Sequence, residues 1–125
     1  MHTPTAAPPN YVPQALALFE KYGPAEAIVH QDRRLTFADL RSGIQHLAEA
    51  LHGQGIGAGS AVAVVAHNHP DVVMLHFALH LLGCRSIWVA HAPLEHQLDF
   101  LRQACPDVLV YDPRTHAEAA GELVR

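Results

Sequence analysis

Leu35–Leu40, reading LTFADL, opens an apolar helical period that runs into a glycine-punctuated turn and then into AVAVVA at Ala61–Ala66. That last stretch is apolar without alternation. A strand apolar on both sides must be covered on both faces, as strands of parallel sheets are. The order of helix, turn and twice-covered strand constrains the chain more than any other feature. The theme then recurs. Asn68 or His69 can cap a helix with Pro70 at its first position and Asp71 near its positive end. Val72, Val73, Leu75, Phe77, Ala78, Leu79, Leu81 and Leu82 make that helix apolar nearly all round, and Gly83 ends it. Ser86–Ala90 reads as a second strand, Pro93 to Ala104 as a helix with Leu94, Leu98 and Leu101 on one face, and Val108–Tyr111 as a third strand. Strands and helices alternating through short links predict an α/β fold, a three-layer parallel sheet with flanking helices and right-handed crossovers.

The N-terminal part adds a small β-hairpin. Residues 1–10 are rich in Pro, Ala and Thr and read as a flexible leader, with one domain over 11–125. Pro13 starts a short helix through Tyr22 that turns Leu16 and Phe19 inward, and Gly23-Pro24 stops it. Ala27–His30 and Arg34–Phe37 flank Gln31-Asp32-Arg33, a tight hairpin. Thr36 caps the next helix, with Asp39 as a short-armed partner in a capping box. Leu40, Ile44, Leu47 and Leu51 then form one face of a 3.6-residue period, and Arg41, Gln45, Glu49 and His52 take the wet side.

Composition excludes several classes. Half of the 125 residues are hydrophobic and 16% are charged, which is a globular balance. The formal charge is −4 with 11 His counted neutral, so nothing draws the chain to nucleic acid or anionic lipid. No segment approaches the roughly 20 apolar residues of a membrane helix. The first ten residues lack a basic and hydrophobic signal pattern, so the expected location is cytoplasmic. Cys84 and Cys105 sit in apolar runs and read as reduced core or near-core thiols.

Candidate chemistry is sparse. Gly55-x-Gly57-x-Gly59 follows a helix and precedes a strand, whereas phosphate loops follow a strand and open a helix, so this is a turn. His76 and His80 stand one helical turn apart and could share a metal, with His67, His69, His91 and His96 toward the sheet's edge. No acidic third ligand lies in that helix, and no metal is expected. Ser42, Ser60 and Ser86 lack a nucleophile-elbow context. Cys84 has no helix N-terminus to lower its pKa. Ligands of open parallel sheets sit beyond the carboxyl ends of strands, here the loops Ala66–Asp71 and Ala90–Pro93.

These motifs, in this order, resemble the N-terminal subdomain of the adenylate-forming superfamily: acyl- and aryl-CoA synthetases, fatty acyl-AMP ligases, luciferases and peptide-synthetase adenylation domains. LTFADL at Leu35–Leu40 matches the first core motif, usually Leu-Thr-Tyr-x-Glu-Leu. Gly55-Ile56-Gly57-Ala58-Gly59 stands at the family's Gly-Val-x-Pro-Gly-Asp turn, Asn68 at its Pro-Asn-Ser element, and Leu82-Gly83 at the Ala-Gly of its second motif. The likeness spans residues 15–113. The chain departs at Ser60-Ala61, where the family has Asp-Arg, and at Trp88, where it has proline.

The resemblance implies an enzyme that joins a carboxylate to AMP from Mg-ATP, releases pyrophosphate and passes the acyl group to coenzyme A or a phosphopantetheine. It also implies that the phosphate loop, the nucleotide contacts, the hinge and the catalytic lysine lie beyond the equivalent of residue 125. The 8 Lys and Arg are scattered singly, with Lys21 the sole lysine, which gives no clamp for phosphate charge. No catalytic residue is therefore expected here, and no cofactor bound by this chain alone. Asn68, His69, Val73, Phe77 and Trp88 are the candidate contacts to a carboxylic acid substrate. Three functions follow: a ligase portion inactive by itself, a short binding or assembly module that self-associates as a homodimer, and, weakest, a flavodoxin-shaped nucleotide-binding domain, which would need a phosphate loop after a strand.

Overall fold

The computed structural model describes residues 10–66, 69–90 and 92–111. Helix α1 (Val12–Tyr22) leads into an antiparallel hairpin of β1 (Glu26–His30) and β2 (Arg33–Thr36), with Gln31 at φ 55° in its tight turn. Helix α2 (Phe37–Gly53) follows directly. The Asp39 N–H donates to Thr36 Oγ1 at 3.1 Å and the Thr36 N–H donates to Asp39 Oδ2 at 2.9 Å, so the expected capping box is complete. Beyond the glycine turn come β3 (Ala61–Val65), α3 (Pro70–Leu81), β4 (Arg85–Trp88), α4 (Leu94–Ala104) and β5 (Val108–Tyr111).

The three later strands form a parallel sheet in the order β4-β3-β5. Every residue of β3 is buried, as its unbroken apolar run predicts. Side-chain alternation sorts them onto two cores. Val62 and Val64 meet Leu75 and Leu79 of α3 with Leu47 and Leu51 of α2. Ala61, Ala63 and Val65 meet Ile87, Val89, Leu98 and Leu101 on the α4 side. Two helices on one face and one on the other make the three layers. A further cluster seals α1 and the hairpin onto α2 and α3 through Val12, Leu16, Leu35, Leu40, Ile44 and Met74.

Local details refine the sequence reading. Arg41 and Gln45, placed on the wet side of α2, are half-buried, because α1 packs beside them and Glu20 reaches Arg41 at 3.6 Å. Helix α4 turns Gln97, Leu98 and Leu101 inward and leaves Leu94 38% exposed. Leu98 and Leu101 join the core on that face of the sheet, and Leu94 does not. The buried Gln97 is satisfied by donating to the Ala90 carbonyl at 3.0 Å. Cys105, read as a near-core thiol, is exposed in the left-handed cap of α4 at φ 50°, its thiol on the Arg102 carbonyl. Cys84 is half-buried, and burial raises its thiol pKa.

Gly83 stands at φ 77° where α3 ends and β4 begins, and its carbonyl accepts from the Gly59 N–H at 3.2 Å. An L side chain is strained there. Gly83→Ala is expected to destabilise the fold by about 1–2 kcal/mol, whereas Gly53→Ala, which has open space and no positive φ, should be neutral or stabilising. Urea midpoints of the two variants check this; equal midpoints would contradict it.

Candidate functional site

The carboxyl ends of β3, β4 and β5 lie on one side of the sheet, where ligands of open α/β folds collect. Among the described residues, hollows open around them in three places. Between α2, α3 and the end of β5, a cavity of about 320 Å³ is lined by Leu47, Leu51, Leu75, Val110 and His69. Beside β4, an open groove of about 390 Å³ is formed by Val72, Val73, His76 and Trp88. Trp88 also borders a smaller hollow of about 150 Å³ over α4, with Gln97 and Phe100.

The candidate residues divide between these places. Asn68 lies outside the described residues. His69 is the cap of α3: its Nδ1 accepts the Asp71 N–H at 3.1 Å, and its ring borders the α2–α3 cavity. Asp71 is also held by Arg33 at 3.1 Å, which ties the hairpin tip to the start of α3. Val73 is 39% exposed and Trp88 37% exposed, and the groove brings them together. Phe77 faces the other way, edge-on to Phe19 at 5.7 Å and to Tyr11 at 6.0 Å, so it braces α3 against α1.

Sequence reasoning left His76 outside the candidate substrate contacts. Its ring sits 5.6 Å from that of Trp88 and 4.2 Å from that of His80. Tyr11 Oη lies 3.4 Å from His76 Nε2 and 2.8 Å from His80 Nδ1, and Ser86 Oγ lies 3.2 Å from His80 Nε2. The i, i+4 spacing announces the histidine pair. Nothing in the sequence announces Tyr11, because the fold brings it from the start of the chain.

Electrostatics at the groove are mild. Burial, and secondarily the neighbouring His80, lower the pKa of His76, so its neutral form is favoured. The described arginines are engaged elsewhere: Arg33 with Asp71, Arg34 with Glu26, Arg41 with Glu20, Arg102 with Asp99, and Arg85 with the Ala104 carbonyl. The groove can therefore hold an apolar or aromatic group against Trp88 and Val73, with one neutral imidazole at hand. Among the described residues it offers no cation for phosphate.

Comparison with known proteins bears on the family and the fold. The family model described as AMP-binding enzyme matches residues 16–124. The acetoacetyl-coenzyme A synthetase of Rhizobium meliloti is 35% identical over 61% of this chain and 12% of its own length. The 2-succinylbenzoate–CoA ligase of Bacillus pumilus is 30% identical over 78% of this chain and 20% of its own. Among solved structures, the N-terminal subdomain of Klebsiella oxytoca NpsA, in complex with 3-hydroxybenzoyl-AMSN, superposes with a TM-score of 0.77 at 21% identity. That match covers 89% of this chain and 30% of the other. The chain thus spans a fifth or less of the curated relatives named here.

The lowered His76 pKa sets the sign of a pH effect. The unfolded chain binds this proton more readily than the folded one, so His76 costs no stability at neutral pH. As pH falls past the unfolded value of about 6.5, stability drops, until the lower folded value is passed. Replacing His76 by Asn should flatten this part of the acid limb relative to the parent. Urea unfolding of both proteins between neutral pH and about pH 5 tests it; parallel curves would contradict it.

Proposed function

This chain belongs to the AMP-binding enzyme family, and from that premise we propose that it is the N-terminal portion of an ATP-dependent carboxylate-adenylating ligase, of acyl-CoA synthetase or acyl-AMP ligase type. The observation that carries this reading is a family match over residues 16–124 on a chain covering 12% and 20% of two such ligases. In the whole enzyme the acid is activated with Mg-ATP, pyrophosphate leaves, and coenzyme A or a phosphopantetheine accepts the acyl group.

The described residues do not fit the nucleotide. A triphosphate with its metal needs converging cations and backbone donors, while the groove presents Val72, Val73, His76 and Trp88. No phosphate step is assigned to this chain. Its share is one wall of the acid site. Val73 and Trp88 pack the hydrocarbon or aromatic body of the acid, and Phe77 holds α3 in place from behind. His69 caps the helix that carries that wall, and Asn68 keeps its sequence-based candidacy as an acid contact.

Alone, the chain should release no pyrophosphate from Mg-ATP with any of a panel of aliphatic and aromatic acids. Turnover above a protein-free control that survives stringent repurification would refute this. In the ligase carrying the segment, Trp88→Ala should raise KM for the acid about tenfold, the worth of a few buried methylenes, and leave KM for ATP unchanged. Equal effects on both would remove Trp88 from the acid wall.

A second reading draws on the sheet's edges. Among the described residues β4 and β5 are both outer strands, and Trp88, Phe100 and Tyr111 are 37%, 45% and 43% exposed near them. Such edges are templates for pairing. The isolated chain is expected to self-associate, giving a light-scattering mass above that of a monomer at micromolar concentration. A monomeric mass would rule this reading out.

A further inference from the structure

We propose that Tyr11, His76 and His80 form a binding site for a divalent transition cation of the imidazole-preferring class, Zn²⁺ or Cu²⁺. Among the described residues no three His, Cys, Asp or Glu side chains converge. The third donor here is a phenol. His76 Nε2 and His80 Nδ1 approach one oxygen, Tyr11 Oη, at 3.4 and 2.8 Å. A tetrahedral centre with bonds of about 2.0–2.1 Å separates its donors by about 3.3–3.4 Å. One of the two spacings already has that value, and the other needs a shift of about half an ångström. A single O–H can donate to only one of the two ring nitrogens, and in the tautomer that carries its proton on Nδ1, His76 turns the Nε2 lone pair toward the same oxygen.

The surroundings are those of a prepared ligand set. Ser86 Oγ lies 3.2 Å from His80 Nε2 and can accept its proton, which leaves the Nδ1 lone pair facing Tyr11. Metal-bound histidines are oriented in this way by a partner on the second nitrogen. Asn10 fixes the approach of Tyr11: its side-chain amide donates to the His80 and Leu81 carbonyls at 3.1 Å each, and its Oδ1 accepts the Val12 N–H at 3.0 Å. Tyr11 is 43% exposed, which leaves a path for the cation and room for water in the fourth position.

Zinc chloride titrated into the full chain, followed by calorimetry, tests the site. The chain has 11 histidines, so variants rather than stoichiometry decide. The paired substitution His76→Gln and His80→Gln should weaken the tightest step at least about tenfold. Ser86→Ala should weaken it by about tenfold, in the range for loss of an orienting partner, and Tyr11→Phe severalfold. In the unaltered chain, Cu²⁺ should broaden the ring resonances of His76 and His80 before those of the other histidines, a reading that does not depend on any variant folding. Unchanged zinc affinity in the paired variant, or in Tyr11→Phe, would overturn the proposal. So would broadening that begins at other histidines.

Discussion

The structure depends on β3 being enclosed from both sides. Val62, Ala63, Val64 and Val65 are each 0–1% exposed. Full burial of one valine contributes about 1.5–3 kcal/mol, so the three valines hold an appreciable part of a stability that for a domain this size is only about 5–15 kcal/mol. Their alternation also assigns the layers. Valines 62 and 64 face α2 and α3, while Ala61 and Ala63 face the α4 side, where small side chains let Ile87, Val89 and Leu101 close over the sheet. The polar backbone at the strand's start is satisfied from β5's approach: Asp107 accepts the Ala61 N–H at 2.9 Å and donates its own N–H to the Ala61 carbonyl at 2.7 Å. Loss of that enclosure would release both cores together.

The strand order then fixes where a ligand can sit. From β3 the chain crosses to β4 through α3 on one face, and it returns past β3 to β5 through α4 on the other. Right-handed crossovers in opposite directions require opposite faces. The strands are parallel, so their carboxyl ends open on one side, and α3 starts there and packs back along one face. Its outer positions, Val73 and His76, are the ones that can meet a small molecule lying against Trp88 at the sheet's edge.

Much of this was legible in the residues. Uninterrupted apolar runs announced the parallel strands, and Thr36 with Asp39 announced the start of α2, because both are local signals whose chemistry needs no distant partner. The misreadings fall where distant packing decides. Leu94 fits the period of α4 but stays out of the core that Leu98 and Leu101 join, and Gln97 is buried with its amide on the Ala90 carbonyl. Cys105 lies in an apolar neighbourhood of sequence, yet the left-handed turn that ends α4 swings it outward. Of the candidate residues, Val73 and Trp88 come together on one groove, as their helix and strand-end positions suggest. Phe77 was identified by the same logic, but the aromatic contacts with Phe19 and Tyr11 turn it to the back of the helix. Tyr11 could not have been paired with α3 from sequence, since the contact spans 65 and 69 positions.

Helix α3 explains why the polar groups beside this groove are imidazoles. It is apolar over nearly all of its circumference, because it packs on β3, α1 and α2 at once. Past Asp71 in its first turn, only His76 and His80 are polar, and a spacing of four puts them on one side. A lysine or arginine at position 76 would have to keep a full charge half-buried beside Trp88, which costs far more than burying a neutral ring. Histidine escapes that cost by shedding its proton, and burial with a second imidazole nearby pushes it to do so. The result is a helix that can brace a core with one side and offer lone pairs, rather than charge, on the other.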